Sequence, residues 1–267
     1  VPTHEKITLK LVPTEQLIPH EETVPHLSER LSRRMMKDGV QRDPIVVDEK
    51  NKIVLDGMHR LESLKRLGAK HAVCSLVDYS SDEVKLFRWF RFIENPGEAL
   101  TSRMSEELGT STEVSMDRHD AMHAPGLTLT HAGKVNISTG DADTDSIVRA
   151  TRIFDSVAKL AGARVEFLDE SAISPELLGG DHLFLLTPIF KKDSVVHVAM
   201  EGKLFPPKTT LHVFPLRPMG INYPIDALRS TEEEMLDTIL AQRTRRRIGP
   251  PSFYGGRLYR EPVEVFE

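Results

Sequence analysis

Thiols are almost missing from this sequence: Cys74 is its only cysteine. That excludes an internal disulfide and any cysteine-rich zinc site. Cys74 falls in the alternating run Ala72-Val73-Cys74-Ser75-Leu76-Val77, a core position rather than a nucleophile's. Long apolar runs are missing too. Nothing approaches the roughly 20 apolar residues of a membrane-spanning helix, and Val1-Pro2-Thr3-His4-Glu5-Lys6 has neither the basic nor the apolar region of a secretory signal. A cytoplasmic protein is expected. Positive charge is not in surplus either, since 35 Lys and Arg face 40 Asp and Glu, a net charge of −5. General attraction to nucleic acid is therefore not expected. Arg243-Thr244-Arg245-Arg246-Arg247 is locally basic and reads as a solvated helix end, where cations suit the dipole.

What the sequence does contain is an ordinary globular mixture, 39% hydrophobic and 28% charged over 267 residues, enough for one large or two small domains. Its most informative run is residues 52–64, where the apolar strand Ile53-Val54-Leu55 feeds Asp56-Gly57 and a helix opens near His59. The first amides of a helix have no carbonyl within it to bond and carry partial positive charge. Such a junction, built from Gly57, Met58, His59 and Arg60, suits a phosphate. His59 and Arg60 add side-chain donors, and the Arg60 guanidinium is a planar fork matched to phosphoryl oxygens. An ordinary strand-turn-helix with a surface arginine looks the same, so the rest of the chain must decide.

Patterning places a strand at residues 7–12 and a helix at 26–38, with Leu27, Leu31 and Met35 spaced by four. Strands at 45–47 and 53–55 flank a polar link, the helix from His59 stops at Gly68, and a strand runs to Val77. Residues 82–92 read as a helix carrying the only tryptophan, Trp89. Residues 94–124 are polar and the least readable, a partial helix at most. Beyond them a hairpin is expected around Gly133, an amphipathic helix over 144–161, a strand at 165–168 and a short helix from Pro175. Leu183-Phe184-Leu185-Leu186 is fully apolar and so a central strand. A helix over 191–201, a loop-to-strand segment over 206–215, a helix capped near Ser230 and a terminal strand over 258–266 complete the pattern. The expected divisions are 1–95, 96–215 and 216–267.

Three polar clusters fall in expected loops: His20-Glu21-Glu22, the Asp56 to Arg60 junction, and Lys208-Thr209-Thr210-Leu211-His212. Together they supply a carboxylate, a phosphate cradle and a second cationic arm. Phosphoryl transfer needs those parts: a base for the acceptor hydroxyl, a seat for the polyphosphate, and cations where charge spreads in the transition state. Spacing alone does not bring them together.

Leu-Ile-Pro-His-Glu (17–21), Asp-Pro-Ile-Val-Val (43–47), Val-Leu-Asp-Gly-Met-His-Arg (54–60), Leu-Gly-Ala-Lys (67–70) and Gly-Lys-Leu-Phe-Pro-Pro-Lys-Thr-Thr-Leu-His-Val-Phe-Pro (202–215) resemble the free L-serine kinases. These are built on the fold of the ParB N-terminal domain and sulfiredoxin. The resemblance implies an α/β (α+β) protein with a ParB/sulfiredoxin-like lobe, a second smaller α/β lobe, and the active site in the cleft between them. It implies transfer from ADP or ATP, with Mg²⁺, to the hydroxyl of free L-serine, feeding cysteine synthesis, by a monomer or homodimer. Glu21 matches the general base, with Glu22 as its neighbouring rival. Asp56 matches an aspartate needed for activity, either as Mg²⁺ ligand or as the group orienting His59. His59 and Arg60 match phosphate-binding positions. Lys208, Thr209, Thr210 and His212 match the second-lobe loop that closes over nucleotide and substrate, and Trp89 an aromatic of the amino-acid pocket.

The polar stretch 94–124 is longer than its family counterpart and holds His119 and His123, an i, i+4 pair without the glutamate of a metalloprotease motif. Surface histidines are the expected reading. A ParB-like nucleotide- or DNA-binding regulator is the alternative, but a helix-turn-helix domain and basic linker should then follow, where an α/β lobe follows instead. Sulfiredoxin chemistry needs a cysteine in the phosphate-binding turn, and this chain has Met58 there.

Overall fold

Ile53–Asp56, the strand expected to deliver the phosphate cradle, sits in a five-stranded sheet. The order across it is Thr8–Pro13, His71–Val77, Ile45–Asp48, Ile53–Asp56, Ile18–Pro19. The computed structural model describes residues 7–109, 112–114, 128–131, 134–137, 143–230 and 233–267. They divide into two compact units: 1–85, 195–207 and 212–267 in the first, 86–194 and 208–211 in the second.

In the first unit the polar link after Ile45–Asp48 makes an antiparallel hairpin with Ile53–Asp56. Ile18–Pro19 adds to the far side of Ile53–Asp56 in parallel, and His71–Val77 joins Ile45–Asp48 in parallel. Helix α1 (Pro25–Asp38) begins on Pro25, whose missing N–H costs nothing there, and stops at Gly39, whose φ of 70° completes the C-cap. Helix α2 (Met58–Arg66) packs on α1 and buries Leu61 and Leu64. Ile45, Val47, Val54, Leu64, Ala72, Val73 and Cys74 form the core, joined by Ile221, Tyr223, Leu228 and Phe266 from the end of the chain. Each Val, Leu or Ile side chain so buried contributes roughly 1.5–3 kcal/mol. Cys74 is fully buried, and burial pushes its thiol well above the usual range, as a core position requires.

The C-terminal segment corrects two expectations. Residues 258–266 are not one strand: Arg257–Tyr259 closes a hairpin with Ser252–Tyr254, while Val263–Phe266 is the middle of a separate three-stranded sheet. Arg217–Met219 flanks it in parallel and Arg245–Ile248 antiparallel. Arg245 to Arg247 of the basic run thus lie in an edge strand rather than at a helix end, while Arg243 N–H still bonds Leu240 O of the preceding helix, and Arg246 is bonded to Glu267 at 2.5 Å.

The second unit is built on a six-stranded sheet whose hydrogen-bonded neighbours run antiparallel: Glu166–Leu168, Phe90–Glu94, His182–Leu186, Thr128–His131, Lys134–Ile137, Thr112–Val114. His182–Leu186 is internal, as its apolar run requires. Leu183 and Leu185 pack with Phe154 and Met104 on one face, while Phe184 and Leu186 pack with Phe90 and Ile173 on the other. The helix Thr144–Leu160 is capped by Asp143, which accepts from the Ser146 N–H at 2.7 Å. Residues 82–92 are not helical: Lys85–Arg88 and Phe90–Glu94 are strands, with Trp89 between them. The polar stretch contains the helix Glu98–Leu108; His119 and His123 lie outside the described residues. No helix among the described residues is long and apolar enough to cross a membrane.

Candidate functional site

The strand-turn-helix junction over residues 53–66 forms as its sequence requires. Gly57 takes φ 107°, open to glycine at little cost, and its carbonyl accepts the first helical bond from Leu61 N–H at 2.9 Å. A β-carbon at Gly57 would lie 2.9 Å from Arg60 Nε and Nη2, because the Arg60 side chain folds back over the turn. Glycine is needed there both for the backbone and for the arginine. Arg60 Nε is buried and has no hydrogen-bond partner among the described residues.

Asp56 binds arginines. Arg60 Nη2 and Arg217 Nη1 each donate to its Oδ2 at 2.7 Å. Burial opposes ionisation of this carboxyl, but the charges of Arg217, Arg60 and Arg257 outweigh it and hold the carboxyl well below the usual carboxylate range. Arg217 itself is buried; its Nε donates to Glu261 at 2.5 Å, and its guanidinium lies over the Phe214 and Tyr259 rings. Burial works against that charge, and Asp56 and Glu261 more than restore it. His59 takes another partner: its Nε2 accepts from the Val24 N–H at 3.0 Å. A neutral His59 thus carries its proton on Nδ1. Both guanidiniums bond the same Asp56 oxygen, so a cation on this carboxylate would lie beside two positive charges. No cluster of three His, Cys, Asp or Glu among the described residues is arranged to hold an ion.

Glu21 is buried, 8% exposed, whereas Glu22 is half-exposed. The Glu21 loop is clamped from both sides by Phe205, whose N–H donates to His20 O and whose carbonyl accepts from Glu22 N–H, both at 2.9 Å. His20, fully buried, places Nδ1 2.5 Å from the Val54 carbonyl oxygen and Nε2 3.9 Å from Glu21 Oε1. The carbonyl can only accept, so Nδ1 bears the proton and Nε2 faces the carboxylate. His212 packs edge-on against His20, with ring centroids 5.3 Å apart, and its Nε2 lies 2.9 Å from Tyr79 Oη. In the first unit, then, Glu21, Asp56 to Arg60 and His212 are joined through His20 and Val54.

Trp89 and Lys208 to Thr210 belong to the second unit. Lys208 adopts φ 58° and sets Nζ 4.3 Å from the centre of the Trp89 ring. Its carbonyl accepts from Arg91, which also grips Asp155 in a bidentate pair at 2.7 and 2.9 Å. Thr209 and Thr210 are buried.

Two features lay beyond sequence reasoning. Arg217 is one. The other is a cleft of about 380 Å³ in the first unit, lined by Arg34, Met35, Arg60, Met219, Tyr254 and Tyr259. Its lining joins aromatic and apolar side chains to charges of both signs, Asp38 and Asp43 beside the arginines.

These features define a mixed α/β protein of ParB-like fold with a glycine-opened strand-turn-helix junction. SbnI from Staphylococcus aureus, C-terminally truncated, superposes with a TM-score of 0.72 at 19% identity, covering 87% of this chain and 95% of that one. A free serine kinase in complex with ADP superposes with a TM-score of 0.68 at 22% identity, covering 84% and 95%. No family model matches the sequence. Among curated proteins the chain is similar to an ATP-dependent L-serine kinase of Staphylothermus marinus, 29% identical over 234 residues, 82% of this chain and 88% of the relative. It is also similar to the ADP-dependent L-serine kinase of Thermococcus kodakarensis, 22% identical over 178 residues, 66% and 73%. The resemblance to the free L-serine kinases therefore holds in sequence and in fold.

Proposed function

We propose that this protein transfers a phosphoryl group from ADP or ATP to the hydroxyl of free L-serine, giving O-phospho-L-serine. The observation that carries this reading is the His20–Val54 bond, which ties the residue before Glu21 to the strand that delivers Asp56 to Arg60. The activity named for the similar proteins supports the same chemistry. Glu21 takes the proton from serine Oγ as that oxygen forms its bond to the terminal phosphorus and the bond to the nucleotide oxygen breaks. The start of α2, the His59 Nδ1–H and Arg60 hold the phosphoryl oxygens. A loose transition state makes little demand on base strength, so positioning suffices for Glu21.

We assign the nucleoside to the first-unit cleft between Tyr254, Tyr259, Met35 and Met219; the roles of Lys208, Thr209, Thr210 and Trp89 toward serine and the transferring phosphate rest on the resemblance to the free L-serine kinases. His212, bonded to Tyr79, supports His20 from behind. Mg²⁺ is assigned to the nucleotide phosphates. A cytosolic setting, which supplies both nucleotides, suits this chemistry. Phosphorus NMR of hydroxyl amino acids, including homoserine, paired with ADP and with ATP tests the reading. Phosphoserine formed from one donor supports it; failure of every hydroxyl amino acid contradicts it.

A further inference from the structure

The geometry points to Asp56 as a guanidinium clamp rather than a metal ligand, with Arg217 as the positioning residue that makes it one. The inference rests on the kinase reading for the identity of the phosphate ligand. Four groups alternate in charge along a continuous line: Glu261, Arg217, Asp56, Arg60. The far end is rigid. Glu261 is 4% exposed and Arg217 N–H donates to Pro262 O at 3.0 Å, so Arg217 is fixed by backbone and side chain together. Its ring contacts with Phe214 and Tyr259 fill the remaining directions.

The near end carries the working group. Arg60 and Arg217 share the same Asp56 oxygen, so the fixed Arg217 holds Asp56, and Asp56 holds Arg60 through Nη2. Arg60 lies over Gly57, and its Nε, buried and without a hydrogen-bond partner among the described residues, sits beside the turn that opens α2. A phosphate settling on that turn meets the guanidinium in place and accepts from Nε while Nη2 stays on Asp56. A divalent ion on Asp56 would instead face two guanidiniums. Arg217 thus acts on the phosphate only through Asp56 and Arg60.

The test compares wild type, D56N, R217K and R217M in two measurements. The first is metal-free ADP binding by calorimetry; the second is the Mg²⁺ concentration for half-maximal serine phosphorylation. A clamp predicts metal-free ADP binding weakened about tenfold in D56N and R217M, with R217K partly rescued. The Mg²⁺ half-saturation should stay within about twofold in every variant. A metal ligand predicts the reverse: D56N binds metal-free ADP as wild type does or more tightly, and its Mg²⁺ requirement rises at least about tenfold. That result overturns the clamp, as does normal ADP binding by a folded R217M. If the Arg217 variants do not fold, D56N decides alone. Wild-type protein that binds ADP yet phosphorylates no amino acid contradicts the kinase reading and leaves the clamp to be judged on ADP binding.

Discussion

His20 Nδ1 lies 2.5 Å from the carbonyl oxygen of Val54, so the residue before Glu21 is bonded to the residue two before Asp56. One imidazole therefore sets the distance between the candidate base and the phosphate cradle. H20A removes the donor and should destabilise the protein by about 1–3 kcal/mol, the range for a broken buried hydrogen bond. H20N restores a donor near the Nδ1 position and should recover most of that loss but not the turnover number, since nothing then faces Glu21 from Nε2. Thermal melts with steady-state kinetics check both; equal turnover in H20N and wild type would contradict the pairing.

At Gly57, any side chain meets both φ 107° and the Arg60 guanidinium at 2.9 Å. G57A should cost about 1–3 kcal/mol in strain and displace Arg60. ADP affinity, measured by calorimetry on the folded fraction, should fall with it.

Asp56 gives an acid signature. An unfolded aspartate titrates near about 3.9, and the folded carboxyl titrates well below that. Its contribution to stability is full above the unfolded value and is lost as pH falls toward the folded one. Denaturant midpoints should drop below about pH 4 in wild type, with a shallower drop in D56N. Asp143, Glu176 and Glu201 are shifted in the same direction, so the difference between the two proteins, not either curve alone, reports Asp56.

Trp89 is the only tryptophan, and the Lys208 ammonium sits over its ring. If Lys208 serves the transferring phosphate, ligand binding changes that contact. Serine with a non-transferable nucleotide should shift the protein's fluorescence in wild type and shift it less in K208M. An identical shift in both would detach Lys208 from the ligand.

The local parts of this architecture were legible in the sequence: the strand-turn-helix at 53–66, α1 by its fourfold spacing, and the internal apolar strand at 182–186. Residues 82–92 misled because charged side chains occupy inward positions. Arg88 and Arg91 are buried and paired with Glu170 and Asp155, which hides the two-residue alternation of Phe90 and Phe92. Arg245–Ile248 misled because its partner strand, Val263–Phe266, lies farther along the chain. Arg217 and the cleft at Tyr254 depend on contacts far apart in sequence, 161 residues in the case of Asp56 and Arg217, and no local pattern encodes them.

The central claim is that Glu21 serves as the base for phosphoryl transfer to serine. Phosphorus NMR of wild type, E21Q and E22Q, each supplied with L-serine and ADP and then with ATP, tests it most directly. Phosphoserine should accumulate with wild type and E22Q and be slower by about 10²–10⁴ with E21Q, while E21Q still binds ADP. Phosphoserine formed by E21Q at the wild-type rate, or none formed by wild type with either donor, would contradict it.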